Sequence, residues 1–302
     1  MIKIIILGAA AGGGVPQWNC GCANCRDARN ARPELSANQA SAAISTDGEN
    51  WFLINASPDI RQQIANTPAL HPKAGELRHS PIAGVILTNG EIDAITGLLT
   101  LREGSPFTLY AHDRVLSILG ANSIFNALKA GIVTRTPLAL DTAFTPALPD
   151  GSPSGMEILP FAAPGKTALF LEDMDESDPG DTIGLKITDS ATGRSVVFLP
   201  ACARLTEEVL VLIDGADAVF FDGTLWRDDE LLTQGLGQKT GQRMGHMSMR
   251  DVIPALSEAR IGRKFFFHIN NSNPALRSDS DERRTIEAAG WTIPAEGMEI
   301  TL

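Results

Sequence analysis

The sequence lacks any apolar run long enough to cross a membrane, and its opening run, Ile4-Ile5-Ile6-Leu7, is too short for the core of a signal peptide. Positive charge is also scarce, because 25 lysines and arginines face 36 aspartates and glutamates, which gives a net charge of −11. No local basic patch offsets this balance, so nucleic-acid phosphates and anionic lipids would be repelled. We therefore expect a cytoplasmic protein that binds no nucleic acid and does not insert into membranes.

Cysteine is rare, with four residues in 302, and three of the four lie in Cys20-Gly21-Cys22-Ala23-Asn24-Cys25. This distribution does not fit a secreted disulfide framework. The pattern C-x-C-x-x-C can bring three thiolates to one tetrahedral Zn²⁺ ion, although free buried cysteines are the alternative. The sequence thus predicts a structural zinc site, whose fourth ligand is left open among His246, Asn271 and Asn273.

The composition is that of a globular protein with a large core, because 43% of the residues are hydrophobic and 20% are charged. Runs of buried-strand character alternate with turns and helical segments, which predicts an α/β fold in layers. The turn Asp47-Gly48-Glu49-Asn50 predicts an antiparallel hairpin between strands at 40–45 and 51–55. Ser57-Pro58-Asp59 predicts a helix that begins with Ser57 as its cap. The other predicted strands cover residues 3–7, 82–87, 195–199, 218–221 and 264–267.

Glycines at 8, 12, 13 and 14 follow the first strand, but their spacing is not G-x-G-x-x-G. Pro16 and the cysteine cluster come next, where a phosphate-binding helix would have to begin. We therefore interpret the run as a tight connection and not as a dinucleotide site.

Polar side chains follow several of the predicted strands. Asp93, Cys202, Asp222 and His268 each come just after a buried strand or end it. Since layered α/β sheets gather functional groups at such ends, these residues are the candidates for chemistry.

The segment from Thr88 to Gly97 resembles the frame in which the metallo-β-lactamase superfamily carries H-x-H-x-D-H. Here Asn89, Glu91, Asp93 and Ala94 stand at the four ligand positions. The resemblance implies that a two-metal hydrolytic centre is missing its first site, while Asp93 and His268 remain for a single metal. Because Ala94 replaces a histidine, the third ligand is open between Cys202 and Asp222.

Longer motifs run in order along the chain and are similar to those of the coenzyme PQQ biosynthesis protein B family. They are Gly12-Gly13-Gly14-Val15-Pro16-Gln17-Trp18-Asn19-Cys20, Asn55-Ala56-Ser57-Pro58-Asp59-Ile60-Arg61-Gln62-Gln63, Leu99-Thr100-Leu101-Arg102-Glu103-Gly104, Phe221-Asp222-Gly223-Thr224, Lys239-Thr240-Gly241-Gln242-Arg243-Met244-Gly245-His246-Met247 and His268-Ile269-Asn270-Asn271-Ser272-Asn273-Pro274. The resemblance implies one metallo-β-lactamase-like αββα sandwich over residues 1–302, with two mixed sheets face to face, helices outside and a zinc-binding insertion around residues 16–30.

The same resemblance implies a role in the biosynthesis of pyrroloquinoline quinone (PQQ). The leading hypothesis is iron- and O₂-dependent hydroxylation of the tyrosine ring of a cross-linked glutamate–tyrosine precursor. Asp93 and His268 would bind Fe²⁺, and His246, beside Asp222, would act as the base on the phenol.

The ligand predicted by this hypothesis carries several carboxylates, for which Arg61, Arg102, Lys239 and Arg243 are the candidate cationic partners. The rival hypothesis is a carrier that binds PQQ or its precursor unchanged and takes part in transport to the periplasm. Under either hypothesis the partners would be PQQ or its precursor and other proteins of the pathway, and a homodimer is left open.

Overall fold

The computed structural model describes residues 1–172 and 176–302, and within these ranges thirteen strands form two sheets. The strands are β1 (Lys3–Gly8), β2 (Ser41–Ser45), β3 (Trp51–Ile54), β4 (Ile82–Ile86), β5 (Phe107–His112), β6 (Val133–Leu138), β7 (Met156–Ala162), β8 (Ile183–Asp189), β9 (Ser195–Leu199), β10 (Ala218–Asp222), β11 (Arg263–Phe267), β12 (Trp291–Thr292) and β13 (Glu299–Thr301).

The α-helices of the described ranges are short and lie between strands or near the ends of the chain. They are α1 (Ala23–Asn30), α2 (Ile60–Ala65), α3 (Ile92–Ile95), α4 (Asp113–Ala121), α5 (Glu207–Ile213), α6 (Glu230–Thr233), α7 (Met249–Ala255) and α8 (Asp281–Ala288).

Both sheets are mixed. The first has the order β13-β1-β2-β3-β4-β5-β6, with antiparallel pairs up to β3 and parallel pairs from β3 to β6. The second has the order β12-β11-β10-β9-β8-β7, with parallel pairs from β12 to β9 and antiparallel pairs from β9 to β7. The parallel strands of each sheet place their carboxyl ends at a common edge, where a site can be assembled.

The two sheets pack face to face over one apolar layer. Ile4, Ile44 and Phe52 of the first sheet belong to the same fully buried cluster as Phe198 and Phe220 of the second. Two further clusters fill the outer faces, one beneath α2 and α4 and one beneath α5, α7 and α8. Because helices cover both outer faces, the predicted αββα sandwich is confirmed.

The sequence predicted seven of the thirteen strands, β1 to β4 and β9 to β11. It also predicted the hairpin, since β2 and β3 pair antiparallel with Ala43 opposite Leu53. The predicted start of the second helix was wrong, because α2 begins at Ile60 and not after Ser57. The Ser57 hydroxyl donates instead to the Gln63 side chain at 2.9 Å, and the first helical hydrogen bond runs from Gln63 N to Asp59 O at 3.0 Å. Ser57 therefore holds the turn that precedes the helix.

In the part of the chain that the structure describes, every helix is too short or too polar to span a lipid bilayer. The interpretation of residues 1–302 as one domain with an insertion at 16–30 stays a prediction.

Candidate metal sites and cavity

A cavity of about 770 Å³ opens at the edge where strand ends of the two sheets meet. This volume lies within the usual range for small-molecule sites. The residues discussed below that line it are Gly12, Asn89, Glu91, Asp93, Lys166, Leu169, Glu172, Thr224, Lys239, His246 and His268. The chain thus gathers several of the predicted functional residues around one space.

Asp93 and His268 face each other in this cavity, with Asp93 Oδ2 and His268 Nε2 2.8 Å apart. Asp93 lies in α3 next to the first sheet, and His268 follows β11 of the second, 175 residues later. His268 adopts the left-handed backbone conformation, with φ of 61°, which is uncommon outside glycine. The packing of the sandwich therefore brings together the two residues that the sequence analysis predicts to bind a metal.

The Thr224 hydroxyl lies against Nδ1 of His268 and favours the tautomer in which that nitrogen carries the proton. Thr224 Oγ1 donates its one hydrogen to Asp222 Oδ1 at 2.8 Å or to the His268 carbonyl at 3.0 Å. With this hydrogen assigned to the Asp222 carboxylate, the hydroxyl oxygen is an acceptor for His268 Nδ1, which lies 2.9 Å away. In the neutral ring this leaves a lone pair on Nε2, directed at the Asp93 carboxylate.

His268 Nε2 and Asp93 Oδ2 would then both be hydrogen-bond acceptors. Because they lie 2.8 Å apart, a proton or a metal cation must lie between them. Burial alone would lower the pKa of His268, but the hydrogen bond and charge of Asp93 raise it above its ordinary value. Burial would likewise raise the pKa of Asp93, and the hydrogen bond from His268 lowers it instead. A metal ion that accepts one nitrogen and one oxygen ligand can replace this bridging proton, so the pair fits a single metal.

Asp222 orients His246 and does not present a vacant ligand position. Its Oδ2 accepts from His246 Nδ1 at 2.8 Å and from Cys202 N at 3.0 Å, and its Oδ1 accepts from the Thr224 N–H and hydroxyl. The carboxylate is fully buried, so these four bonds satisfy it. Because Nδ1 of His246 is used by Asp222, Nε2 is the nitrogen that can exchange a proton with a ligand.

Ligand atoms of Asp222, His246 and His268 lie within 4.8 Å of one another. The Thr224 hydroxyl, however, lies within 2.8, 3.1 and 2.9 Å of these three side chains, in the space that a shared metal would need. We therefore interpret Asp222, His246 and His268 as a unit held together by hydrogen bonds through Thr224, and not as the ligands of one metal ion. The Asp93–His268 pair remains the candidate metal site. Thr224 was missed as a site residue, although its place two residues after Asp222 was a usable signal.

The positions of the first superfamily metal hold no free ligand pair. Glu91 accepts from Lys166 Nζ at 3.3 Å and from the N–H of Leu169 at 3.1 and 3.2 Å. Asn89 Oδ1 accepts from the N–H of Glu91 at 3.0 Å. These bonds occupy both side chains, which argues against a two-metal hydrolytic centre.

Neither Ala94 nor Cys202 presents a metal ligand to the cavity as the third ligand. Ala94 is buried in the apolar cluster beneath the first sheet. The Cys202 thiol donates to the Arg204 carbonyl at 3.0 Å, and burial together with the charge of Asp222 raises its pKa to about 12. Cys202 is not among the residues that line the cavity, and its thiol is turned to Arg204, so it does not suit the role.

Of the four cationic candidates, the structure brings Lys239 to the cavity. Arg61, Arg102 and Arg243 lie on the exposed surface, and Arg102 pairs with Glu103 at 3.0 Å. Their role as carboxylate partners stays a prediction from the sequence.

The cysteine cluster forms a second candidate site, with the sulfurs of Cys20, Cys22 and Cys25 within 4.8 Å of one another. Burial raises the pKa of Cys22 to about 11, and the neighbouring sulfurs add to this, so three thiolates require a cation. Nδ2 of Asn271 lies 3.0, 3.6 and 3.3 Å from the sulfurs of Cys20, Cys22 and Cys25. A half-turn of this amide would place its oxygen over the sulfurs, as a fourth ligand requires.

The two other candidates for the fourth ligand are engaged elsewhere. His246 belongs to the cavity, and the Asn273 amide donates to the carbonyl oxygens of Gly223 and Thr224. The cysteine loop itself is held by Arg29, whose guanidinium donates to the carbonyls of Gln17 at 2.5 Å and Cys20 at 2.7 Å. The residues present therefore fit a closed zinc site.

Comparison with known proteins agrees with this architecture. The family model described as "Beta-lactamase superfamily domain" matches residues 50–269. A diphosphatase from the PhnP family shares the fold, with a TM-score of 0.69 at 18% identity over 99% of this chain and 96% of that one. The sandwich and its strand-end site thus define a member of the beta-lactamase superfamily.

More similar relatives cover the whole chain. Coenzyme PQQ synthesis protein B of Rhodopseudomonas palustris (strain TIE-1) is 60% identical over 309 residues, with 100% of both chains covered. The protein of the same name from Gluconobacter oxydans (strain 621H) is 52% identical over 305 residues, covering 100% of this chain and 99% of that one. The crystal structure of Zn(2+)-bound PqqB from Methylobacterium extorquens has a TM-score of 0.93 at 45% identity, covering 99% of this chain and 100% of that one. This chain belongs to the coenzyme PQQ synthesis protein B family.

Proposed function

We propose that this protein hydroxylates the tyrosine-derived ring of a cross-linked glutamate–tyrosine precursor during PQQ biosynthesis, with iron held by Asp93 and His268. The observation that carries the proposal is the 2.8 Å approach of Asp93 Oδ2 to His268 Nε2, while His268 Nδ1 lies 2.9 Å from the Thr224 hydroxyl. A single nitrogen–oxygen pair leaves open positions on a metal, as non-haem iron chemistry with O₂ requires. When bound, iron would supply the activation of O₂.

The chain's own residues would then position the phenol and move its proton. His246 lines the cavity, and its ring stacks on that of His268 with centroids 5.4 Å apart. Asp222 holds His246 through Nδ1 at 2.8 Å, so Nε2 can accept the phenol proton and the carboxylate stabilises the resulting imidazolium. In the net reaction one oxygen atom enters the ring and the other leaves as water, with two electrons and two protons from an added reductant.

The test is aerobic incubation of anaerobically purified, iron-loaded protein with the cross-linked amino acid, ascorbate and ¹⁸O₂. Mass spectrometry should show a ring-hydroxylated product that carries one labelled oxygen. Asp93→Asn should abolish the product, whereas Asp141→Asn on the exposed surface should not. No product from fully loaded, reduced protein would rule the reaction out.

A carrier for PQQ or its precursor, involved in transport to the periplasm, is the second candidate function. The observation that favours it is Ala94, which packs in the apolar core at a position where superfamily members carry a metal-binding histidine. Stoichiometric binding of PQQ together with no hydroxylated product from fully iron-loaded, reduced protein would support the carrier against the hydroxylase.

We also propose that Cys20, Cys22, Cys25 and Asn271 bind a structural zinc ion. The sulfur cluster and the amide above it support this assignment, and a zinc-bound relative shares the fold. The metal would tie the loop that follows β1 to the segment that follows His268. Elemental analysis of the anaerobically purified protein should find zinc in addition to iron, and zinc alone would favour the carrier.

A further inference from the structure

Four charged side chains form a continuous chain of ion pairs along one wall of the cavity. Lys166 Nζ lies 3.3 Å from Glu91 Oε1 and 2.5 Å from Glu172 Oε1, while Lys239 pairs with the other oxygen of Glu172. All four residues line the cavity that contains Asp93 and His268. One carboxylate, that of Glu172, therefore bridges two ammonium groups inside the proposed active site.

Glu91 and Glu172 differ in how firmly they are held. Glu91 accepts two backbone hydrogen bonds from Leu169 in addition to Lys166, so it has partners even without the lysine. Glu172 is engaged by the two lysines, whose hydrogen bonds hold its pKa below the ordinary range. It lies at the end of the short turn Leu169–Leu171, which carries two exposed apolar side chains, Leu169 and Phe170.

The charges of this wall balance, because two ammonium groups face two carboxylates. If the carboxylate of Glu172 moves away, Glu91 is the one ion-pair partner that the two lysines retain among the described residues, which leaves one positive charge uncompensated. In a protein of net charge −11 this is a local site for an anion. An anionic oxygen group, such as a carboxylate of the ligand, can replace the bonds that Glu172 leaves.

We propose that Lys166 and Lys239 form a carboxylate subsite for the ligand and that Glu172 occupies it in the free protein as an internal competitor. The proposal rests on the proposed function, because it assumes a ligand that carries several carboxylates, and it names the residues that recognise them. Binding requires the ligand carboxylate to exchange with that of Glu172. The subsite does not involve Asp93 or His268, so it acts without a bound metal.

The two kinds of substitution should have opposite effects on affinity, which separates recognition from simple structural damage. Lys166→Met and Lys239→Met should each weaken binding of PQQ, used as a tricarboxylate probe, by about tenfold, the loss of one charge-assisted hydrogen bond. Glu172→Gln should strengthen binding by a similar factor, because the neutral amide competes less for the lysines. A merely structural network would lose affinity in all three variants.

Affinities should be measured by isothermal titration calorimetry with metal-free cavities and a loaded cysteine cluster. Lys129→Met and Glu258→Gln, both on the exposed surface, are the matched controls and should bind as the unmodified protein does. Thermal unfolding of each variant checks that it is folded, and Glu172→Ala provides a second removal of the competing carboxylate. Weaker or unchanged binding in both Glu172 variants, lysine variants that bind normally, or no PQQ binding by any form would overturn the proposal.

The failure of this subsite can be distinguished from the failure of the proposed reaction. Asp93→Asn should abolish hydroxylation and retain PQQ affinity, while the charge variants should change affinity in the stated directions. If the affinities follow the prediction and no hydroxylated product forms, the subsite stands and the reaction is wrong.

Discussion

At the scale of single residues, the site depends on one hydroxyl group. Thr224 is nearly buried and connects the two histidines to Asp222 through contacts of 2.8 to 3.1 Å. Turning Nδ1 away would break the hydrogen bond to Asp222 in the case of His246 and the contact with the Thr224 hydroxyl in the case of His268. Thr224 therefore directs Nε2 of His268 to Asp93 and, with Asp222, keeps His246 in position.

Thr224→Val should lower the affinity of the Asp93–His268 site for a divalent metal by about 10- to 100-fold, because the partner that orients a metal-binding histidine is lost. Competition titration with Co²⁺, followed by absorbance with zinc retained in the cysteine cluster, measures this change. Thr142→Val, on an exposed turn, is the control. An unchanged Co²⁺ affinity would show that the hydroxyl does not govern the metal site.

At the scale of elements, the cysteine cluster connects two loops that are distant in sequence. Besides the contacts to the sulfurs, Nδ2 of Asn24 in α1 donates to the carbonyls of Asn271 at 3.0 Å and Asn273 at 2.9 Å. The segment that receives these bonds begins just after His268. Loss of zinc should therefore loosen a loop that supports the cavity, as well as the cysteine loop itself.

Removal of zinc by a chelator should lower the midpoint of thermal unfolding by more than about 5 °C, since structural zinc contributes directly to folding. Asn271→Ala should lose zinc during dialysis against the chelator, whereas Asn271→Asp should retain it because an oxygen ligand remains. Asn126→Ala, on the exposed surface, serves as the control. Full zinc content in Asn271→Ala would remove Asn271 from the ligand set.

The β2–β3 hairpin should depend on pH through Asp47 in its turn. Partial burial alone would raise the pKa of Asp47, but hydrogen bonds from the Asn50 amide and from the N–H groups of Asn50 and Glu49 lower it. A lowered folded-state pKa means that the carboxylate stabilises the fold above its unfolded pKa of 3.8 and loses this effect as the pH falls through the folded value.

Asp47→Ala should therefore lower the free energy of unfolding by about 1 kcal/mol at neutral pH, as expected for hydrogen bonds at an exposed turn. The difference in free energy of unfolding between Asp47→Ala and the unmodified protein should become smaller as the pH falls below 3.8. Urea unfolding at a series of pH values measures both effects, with Glu258→Ala on the exposed surface as the control. A difference that grows in acid would contradict this interpretation of Asp47.

At the scale of the whole molecule, the sequence predicted secondary-structure elements and types of metal ligand better than it predicted which side chains contact one another. The strands were recognisable because their apolar runs are buried on both faces, and the strand-end positions of Asp222 and His268 followed from them. The pairing of Glu91 with Lys166, 75 residues away, depends on how the two sheets pack and leaves no local pattern. The predicted helix start at Ser57 depends partly on such a distant contact, because the Gln63 side chain that accepts from Ser57 also donates to the Gln39 carbonyl at 2.7 Å.

The net charge of the chain and the lysines of the cavity act on a ligand at different distances. The chain as a whole carries −11, whereas the lysines of the carboxylate subsite lie inside the cavity, within contact range of a bound ligand. An approaching polycarboxylate meets the long-range repulsion first and the lysines last. The Debye length falls from about 30 Å at 0.01 M to about 10 Å at 0.1 M ionic strength, so salt screens the distant charges before the close ones.

The association rate constant of PQQ should therefore rise severalfold between about 0.01 and 0.1 M salt, where the long-range repulsion is screened. The dissociation rate constant should rise as well, because the partly exposed Lys166 and Lys239 hold the ligand less firmly in salt. Stopped-flow measurements separate the two constants. In Lys166→Met the association rate constant should increase with salt at least as strongly as in the unmodified protein. One lysine fewer then attracts the ligand against the repulsion by the net negative charge. An association rate that falls steadily with salt in the unmodified protein would mean that the two lysines, and not the net charge, control the encounter.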